Sequence, residues 1–312
     1  MAAPLQPLHS LDAVWFQVAG TRCNLTCAHC FISCSPKNDA FGFLSLADVE
    51  ARLQEAAALG VKEFYFTGGE PFLNKQMTDI LVRTLDFGPA TVLTNGLVLK
   101  DEWLRRLRAA EAASRYGLEF RVSVDGPDAA TNDLVRGEGT FEKALDGVQM
   151  LVGHGFLPIL TMTRVWAEED DFAVMGRFRE VLAGRGYARP RIKLLPRLQI
   201  GAEAERTVAY EPSERVTAAM MAGYDDSQLV CSSARVVTDR GVHVCPILID
   251  SPDSRMGATL AEADGPFPLS HGACFTCWRY GAICSNGPAV AEDRRLREHA
   301  ASPPPLVSLS TA

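Results

Sequence analysis

Six times between residues 13 and 198, a short run of apolar, β-branched or aromatic residues alternates with a segment of helical period. The strands read as 13–19 (AVWFQVA), 63–69, 90–96, 118–126, 157–165 and 191–198. Helices are predicted at 45–60, 74–86, 99–113, 139–154 and 169–184, the first capped by Ser45 and stopped by Gly60. Strands separated by whole helices must run parallel, and right-handed crossovers wind such a sheet in one direction. The expected fold is therefore α/β, a partial (β/α)6 TIM-like barrel, two units short of the full eight.

The 312 residues leave room for a smaller module after this barrel core of residues 13–200, with 1–12 as a lead-in. From about 201 the text turns charged and less periodic, which predicts a linker and short helix over 201–230. A compact module is expected at 231–290. The final stretch, 291–312, ends in SPPPLVSLSTA and reads as a helix end and a disordered tail. A formal net charge of −7 repels polyanions, so nucleic acid is not expected as a partner. The first residues, MAAPLQPLHSLDA, lack a basic segment followed by an apolar one, and no apolar run is long enough for a membrane span. The expectation is a cytoplasmic protein with no membrane contact.

Nine cysteines fall in two groups, four between 23 and 34 and five between 231 and 284. In a reducing compartment such spacings indicate metal or redox chemistry, and an odd number cannot pair completely. The first group, in GTRCNLTCAHCFISC (20–34), follows the first strand at the end where α/β folds place reactive groups. Cys23, Cys27 and Cys30 are spaced C-x3-C-x2-C. Three thiolates leave one iron of a four-iron cubane open to substrate or cofactor; a zinc ion completed by Cys34 or His29 is the alternative.

Other strand ends carry candidates too. TGGEP (67–71) offers Gly68 and Gly69 for close backbone approach and Glu70 as a carboxylate at the barrel mouth, against the alternative of a plain turn. Asn95 lies in TNG (94–96), and in SVDGP (123–127) Ser123 and Asp125 alternate on one side, toward a ribose hydroxyl. An Asx turn before Gly126 is the other reading of Asp125. Arg164, Lys193 and Arg197 are either carboxylate-binding cations or ordinary surface charges. Met162, Met220 and Met221 read as core filler.

These stretches together resemble the radical S-adenosylmethionine (radical SAM) superfamily. Its cysteine motif is Cx3CxφC, with His29 at φ here, and its GGE motif matches Gly68 to Glu70. SVDGPDAATNDLVRGEGTFEKALDGVQML is similar to members that carry a SPASM domain. The resemblance implies a [4Fe-4S] cluster on Cys23, Cys27 and Cys30, whose open iron chelates the methionine moiety of S-adenosylmethionine. Electron transfer into the sulfonium then releases a 5′-deoxyadenosyl radical that takes hydrogen from a substrate. It also implies that Glu70, with Gly68 and Gly69, meets the amino group of that methionine. His29, Asn95, Ser123, Asp125 and Arg164 are expected around the rest of the cofactor.

The second cysteine group has C-x13-C and then C-x2-C, and resembles the SPASM and twitch domains with their auxiliary clusters. Five thiols, with the last spaced differently from SPASM, imply one auxiliary [4Fe-4S] cluster. Cys231, Cys245, Cys274 and Cys277 would hold it, with Cys284 a substitute ligand or bystander; a zinc knuckle is the alternative. The resemblance implies an enzyme with a reducing partner such as flavodoxin or ferredoxin. Its substrate is expected to be a small metabolite, because no N-terminal leader-binding region is seen, with a peptide maturase as the runner-up. A non-catalytic iron-sulfur or zinc protein is the rival of another class. Cys34 falls outside the first set, either as a small buried thiol or as one lining the barrel mouth near the substrate.

Overall fold

The computed structural model describes residues 2–281 and 283–286. The tail read as 291–312 lies outside the described residues. A two-residue strand, β1 (Leu5–Gln6), precedes six parallel strands: β2 (Ala13–Gln17), β3 (Glu63–Thr67), β4 (Ala90–Thr94), β5 (Leu118–Ser123), β6 (Ile159–Thr163) and β7 (Arg191–Leu195). They pair in sequence order. The intervening helices are α1 (Leu46–Ala58), α2 (Met77–Thr84), α3 (Asp101–Ala113), α4 (Ala129–Arg136), α5 (Thr140–Gly153) and α6 (Asp171–Gly184).

Local chemistry explains the boundaries. Ser45 and Asp48 close a capping box at the start of α1, and Gly60, with φ of 78°, follows its end. Helix α4 is the element that the sequence reading missed. Asp128 caps it by accepting from the Thr131 amide, and Gly137 stops it. Its eight residues are a short amphipathic segment inside what reads as a loop.

Because side chains alternate along a strand, each of the six divides its residues between two faces. Val14, Phe16, Phe64, Phe66, Val92, Phe120, Val122 and Leu160 pack outward against Leu53, Ile80, Leu104, Leu145 and Phe178 of the helices, making the main core. Trp15 and Tyr65 turn the other way, into the barrel, where their rings stack with centroids 4.3 Å apart.

After β7 come α7 (Ala202–Arg206), α8 (Ala218–Met221), β8 (Ala234–Thr238), β9 (Gly241–His243), β10 (Arg255–Gly257), β11 (Phe267–Pro268) and α9 (Gly272–Tyr280). Strands β8 and β9 form the hairpin expected near Asp239 to Gly241, and β11 pairs with β1. The hairpin is joined to the core sheet: β8 runs parallel to β2, from Ala13 opposite Ala234 to Phe16 opposite Val237. The nine-stranded order is β10-β9-β8-β2-β3-β4-β5-β6-β7, so the barrel stays open between its edges. No helix among the described residues is long and apolar enough to cross a membrane.

This pairing makes a test possible. A chain ended at residue 228 lacks β8 and leaves one edge of β2 unpaired, beside the buried Val14 and Phe16. Its soluble fraction on expression is expected to fall well below that of the full chain. A soluble fragment with a cooperative thermal transition would show that the barrel does not need β8.

Candidate functional site

The loop after β2 carries Cys23, Cys27 and Cys30, and all three line one cavity of about 230 Å³ at the barrel mouth. The loop is held by its backbone. The Ala28 amide donates to Val135 O of α4 (2.7 Å), Cys23 N to Ser35 O (3.2 Å) and Ala202 N to Cys30 O (3.0 Å). Against it lies the end of β3, where Gly69 N donates to Gly20 O and Glu70 N to Arg22 O, both at 2.9 Å. A Cβ on Gly69 would sit 1.9 Å from Arg22 O, and one on Gly68, whose φ is 145°, 2.8 Å from Ala19 N. Close approach of two backbones is thus what these glycines provide.

His29, Gly68, Gly69, Asn95 and Ser123 also line the cavity. Other expected residues, Glu70, Asp125, Arg164, Lys193 and Arg197, are not among its lining. Glu70 does not open onto the mouth: it is fully buried and its carboxylate accepts from Thr94 Oγ1 (2.7 Å), Asn95 N (2.8 Å) and Phe72 N (3.1 Å). Burial pushes it up to about 7, against the pull of those three donors. Arg164 does not offer a cation to the mouth, since Asp171 takes it in a two-pronged pair at 3.0 and 2.7 Å. Arg197 is half exposed and lies 3.8 Å from Glu203.

Asp125 lies beneath the cavity lining rather than in it. It is fully buried, and its carboxylate accepts from His29 Nε2 (2.7 Å), Arg136 Nε (2.5 Å) and Thr163 N (2.6 Å). Burial opposes its ionisation, but Arg136 and His29 outweigh that and hold it well below the usual carboxylate range. Arg136 was missed with its helix, although it lines the cavity and draws Cys27 downward. The signal was present in the sequence, as the Asp128 cap and the Gly137 stop.

The three thiols differ in how their surroundings bias ionisation. Burial pushes Cys23 up to about 12 and Cys27 up to about 11, so without metal both hold their protons. Cys30 goes the other way because the Cys34 thiol donates to it, helped by the Cys34 and Ile32 amides. Cys34 is buried, lines the same cavity and is raised in turn. Amide donors already face two sulfurs: Leu25 N to Cys23 Sγ at 3.4 Å and Cys34 N to Cys30 Sγ at 3.3 Å. Among the described residues, no three His, Cys, Asp or Glu side chains come close enough to share one metal ion. A cubane instead takes each thiolate on a separate iron, and three sulfurs around one cavity fit that demand.

The second group converges on a smaller pocket, where Cys231, Cys245, Cys274 and Cys277 meet among Leu229, Val244, Leu248, Phe267 and Leu269. Burial raises all four thiols; the Ile247 and Leu248 amides pull Cys245 down. Four thiols in an apolar pocket with amides aimed at sulfur fit an iron-sulfur cluster. Cys284 instead lines the barrel cavity, beside Ile283 and Arg121.

A sequence profile described as the radical SAM superfamily matches residues 18–171. The AdoMet-dependent heme synthase of Methanosarcina barkeri is 34% identical over 139 residues, 44% of this chain and 38% of that protein. Mycofactocin maturase MftC of Mycobacterium ulcerans is 29% identical over 231 residues, 72% of this chain and 57% of that protein. The matched part thus spans less than two thirds of either relative. Among solved structures, SuiB of Streptococcus suis bound to S-adenosylmethionine superposes with a TM-score of 0.60 at 13% identity, covering 81% of this chain and 64% of that one.

The Asp125 cluster can be tested by stability. Removing the Arg136 guanidinium leaves a buried carboxylate with one charged partner fewer, so Arg136→Met should cost about 3–5 kcal/mol in urea unfolding at pH 7. Asp125→Asn combined with it should deviate from additivity by about 1 kcal/mol or more. Because Asp125 is depressed in the folded state, its contribution is complete above the ordinary value of 3.8 and is lost as pH falls toward the lower folded value.

Proposed function

We propose that the chain is a radical SAM enzyme that holds a [4Fe-4S] cluster on Cys23, Cys27 and Cys30 and abstracts hydrogen from a substrate in the barrel cavity; the superfamily profile over residues 18–171 supports that footing. When bound, the cluster would pass an electron to S-adenosylmethionine and so generate the 5′-deoxyadenosyl radical. The observation that carries this reading is the convergence of those three thiols with the ends of β3, β4 and β5 on one cavity.

The protein's own residues then have separable tasks. Cys23, Cys27 and Cys30 supply the three sulfurs, and Cys34, with the Leu25 amide, donates hydrogen bonds that favour thiolate. Arg136 places a buried positive charge beside Cys27 and Cys30, where it offsets the negative charge of a thiolate-bound cluster. Glu70 ties the ends of β3 and β4 together, which keeps Asn95 at the cavity edge. Trp15, Leu93, Leu195 and Ile247 wall the cavity with apolar surface that excludes water from a radical step.

A second cluster is assigned to Cys231, Cys245, Cys274 and Cys277, with Cys284 left free to face the substrate. The pocket shared by the four thiols supports that choice. The relatives include a maturase and a heme synthase by name, and they support a small molecule and a peptide side chain alike as the substrate class.

Anaerobic reconstitution with iron and sulfide, followed by dithionite and S-adenosylmethionine, tests the reading. The wild type should load about eight irons per chain and form 5′-deoxyadenosine. Cys30→Ala should abolish that product, while Cys34→Ala keeps the cluster and slows its assembly. Cys245→Ala should retain about half the iron and Cys284→Ala nearly all of it. Formation of no 5′-deoxyadenosine by the fully loaded wild type would refute the assignment.

A further inference from the structure

Arg121 lies on β5, one pleat deeper in the barrel than Ser123, and is 2% exposed. Its surroundings set it apart from other buried arginines of this chain. Arg235 is equally buried, but its three nitrogens donate to the carbonyls of Cys231, Ala234, Ala263 and Gly265. Arg136 has Asp125 and Arg164 has Asp171. Arg121 makes one hydrogen bond among the described residues, from Nη1 to Cys284 O at 2.8 Å, and its buried Nε has no partner.

No carboxylate among the described residues is paired with it. Glu119, two residues back on the same face of β5, pairs with Arg191 at 2.5 Å. Burial pulls the Arg121 guanidinium down, and Tyr65, Glu119 and Cys284 only partly offset that. A buried cation without a counter-ion is destabilising, and a barrel interior can be filled by an apolar side chain of similar volume at lower cost. The cation therefore points to an anion that arrives from outside.

The cavity indicates which anion. Arg121 lines it together with the hydroxyls of Ser123 and Thr161, which are 3.4 Å apart, and with Trp15, Leu93, Leu195 and Ile247. Arg136, the other guanidinium lining the cavity, is taken by Asp125, so Arg121 with the two neutral hydroxyls is left to an anion that accepts two parallel N–H bonds, as a carboxylate does. The apolar walls suit a hydrocarbon body attached to it. We infer that Arg121 anchors a carboxylate carried on an apolar part of the substrate, inside the barrel below the cysteine loop. This rests on the radical SAM reading for what happens to the bound molecule, but not for the binding itself.

The probe is butyrate, compared with butyramide and inorganic phosphate, on the reconstituted full chain with S-adenosylmethionine present. Butyrate should raise the melting temperature in a saturable way, and butyramide should not. In Arg121→Gln the butyrate affinity should fall about tenfold or more, the loss expected for a charged hydrogen-bonding partner. The KM for S-adenosylmethionine in substrate-free 5′-deoxyadenosine formation should stay unchanged. Arg121→Met, which removes an unpaired charge, should melt a few degrees higher than the wild type in the absence of acid.

Several results would overturn the inference. They are no butyrate response in the wild type, a phosphate response of equal size through Arg121, or a tenfold rise in KM for S-adenosylmethionine in Arg121→Gln, which would give Arg121 to the cofactor's own carboxylate. A lower melting temperature with lost iron in both variants would make Arg121 a counter-ion of the second cluster. Failure of the radical SAM reading would look different: the wild type would bind butyrate through Arg121 and form no 5′-deoxyadenosine.

Discussion

The contact between two backbones at Gly69 and Arg22 holds the site together. The cysteine loop has little regular structure, so its shape depends on what it is pressed against. At Gly69 a single methyl group would collide with the Arg22 carbonyl, and the neighbouring amides of Gly69 and Glu70 bind the carbonyls of Gly20 and Arg22. That docking carries β3 beyond its last sheet residue and brings the three thiols over the open end of the barrel. Glu70 extends the same connection to β4, through Thr94 and Asn95. A residue that reads as a ligand-facing carboxylate is, in this fold, also the tie between strand ends.

Asp125 performs the corresponding task on the other side. Its one carboxylate joins the cysteine loop through His29, helix α4 through Arg136 and strand β6 through the Thr163 amide. Charged groups so deeply buried hold their positions only because each is matched in geometry and sign. The cluster fixes the loop from below, while Arg136 leaves a positive field at Cys27 and Cys30. Positioning and electrostatics therefore come from the same three side chains.

The C-terminal cysteines are connected to the barrel by more than chain continuity. Strand β8 extends the parallel sheet beside β2, and Cys231 lies three residues before it. Four thiols gather in their own apolar pocket, whereas Cys284 reaches the barrel cavity, with its carbonyl on Arg121. The two thiol groups thus share one sheet as their support.

The alternation of strand and helix, the cap at Ser45 and the spacing of Cys23, Cys27 and Cys30 were legible in the sequence because each is local. Periodicity and short-range spacing act within a few residues, so the chain's own text determines them. The four-thiol grouping of Cys231, Cys245, Cys274 and Cys277 could be named for its composition. Its convergence, across more than forty residues, required the folded chain. Helix α4 escaped notice because eight residues carry too little period, and Arg136 went with it. Only the tertiary structure decided that Arg164 belongs to Asp171, that Asp125 belongs to His29 and Arg136, and that Arg121 is left with an unpartnered nitrogen. A charge has no partner until distant strands bring one within reach, and sequence spacing does not carry that distance.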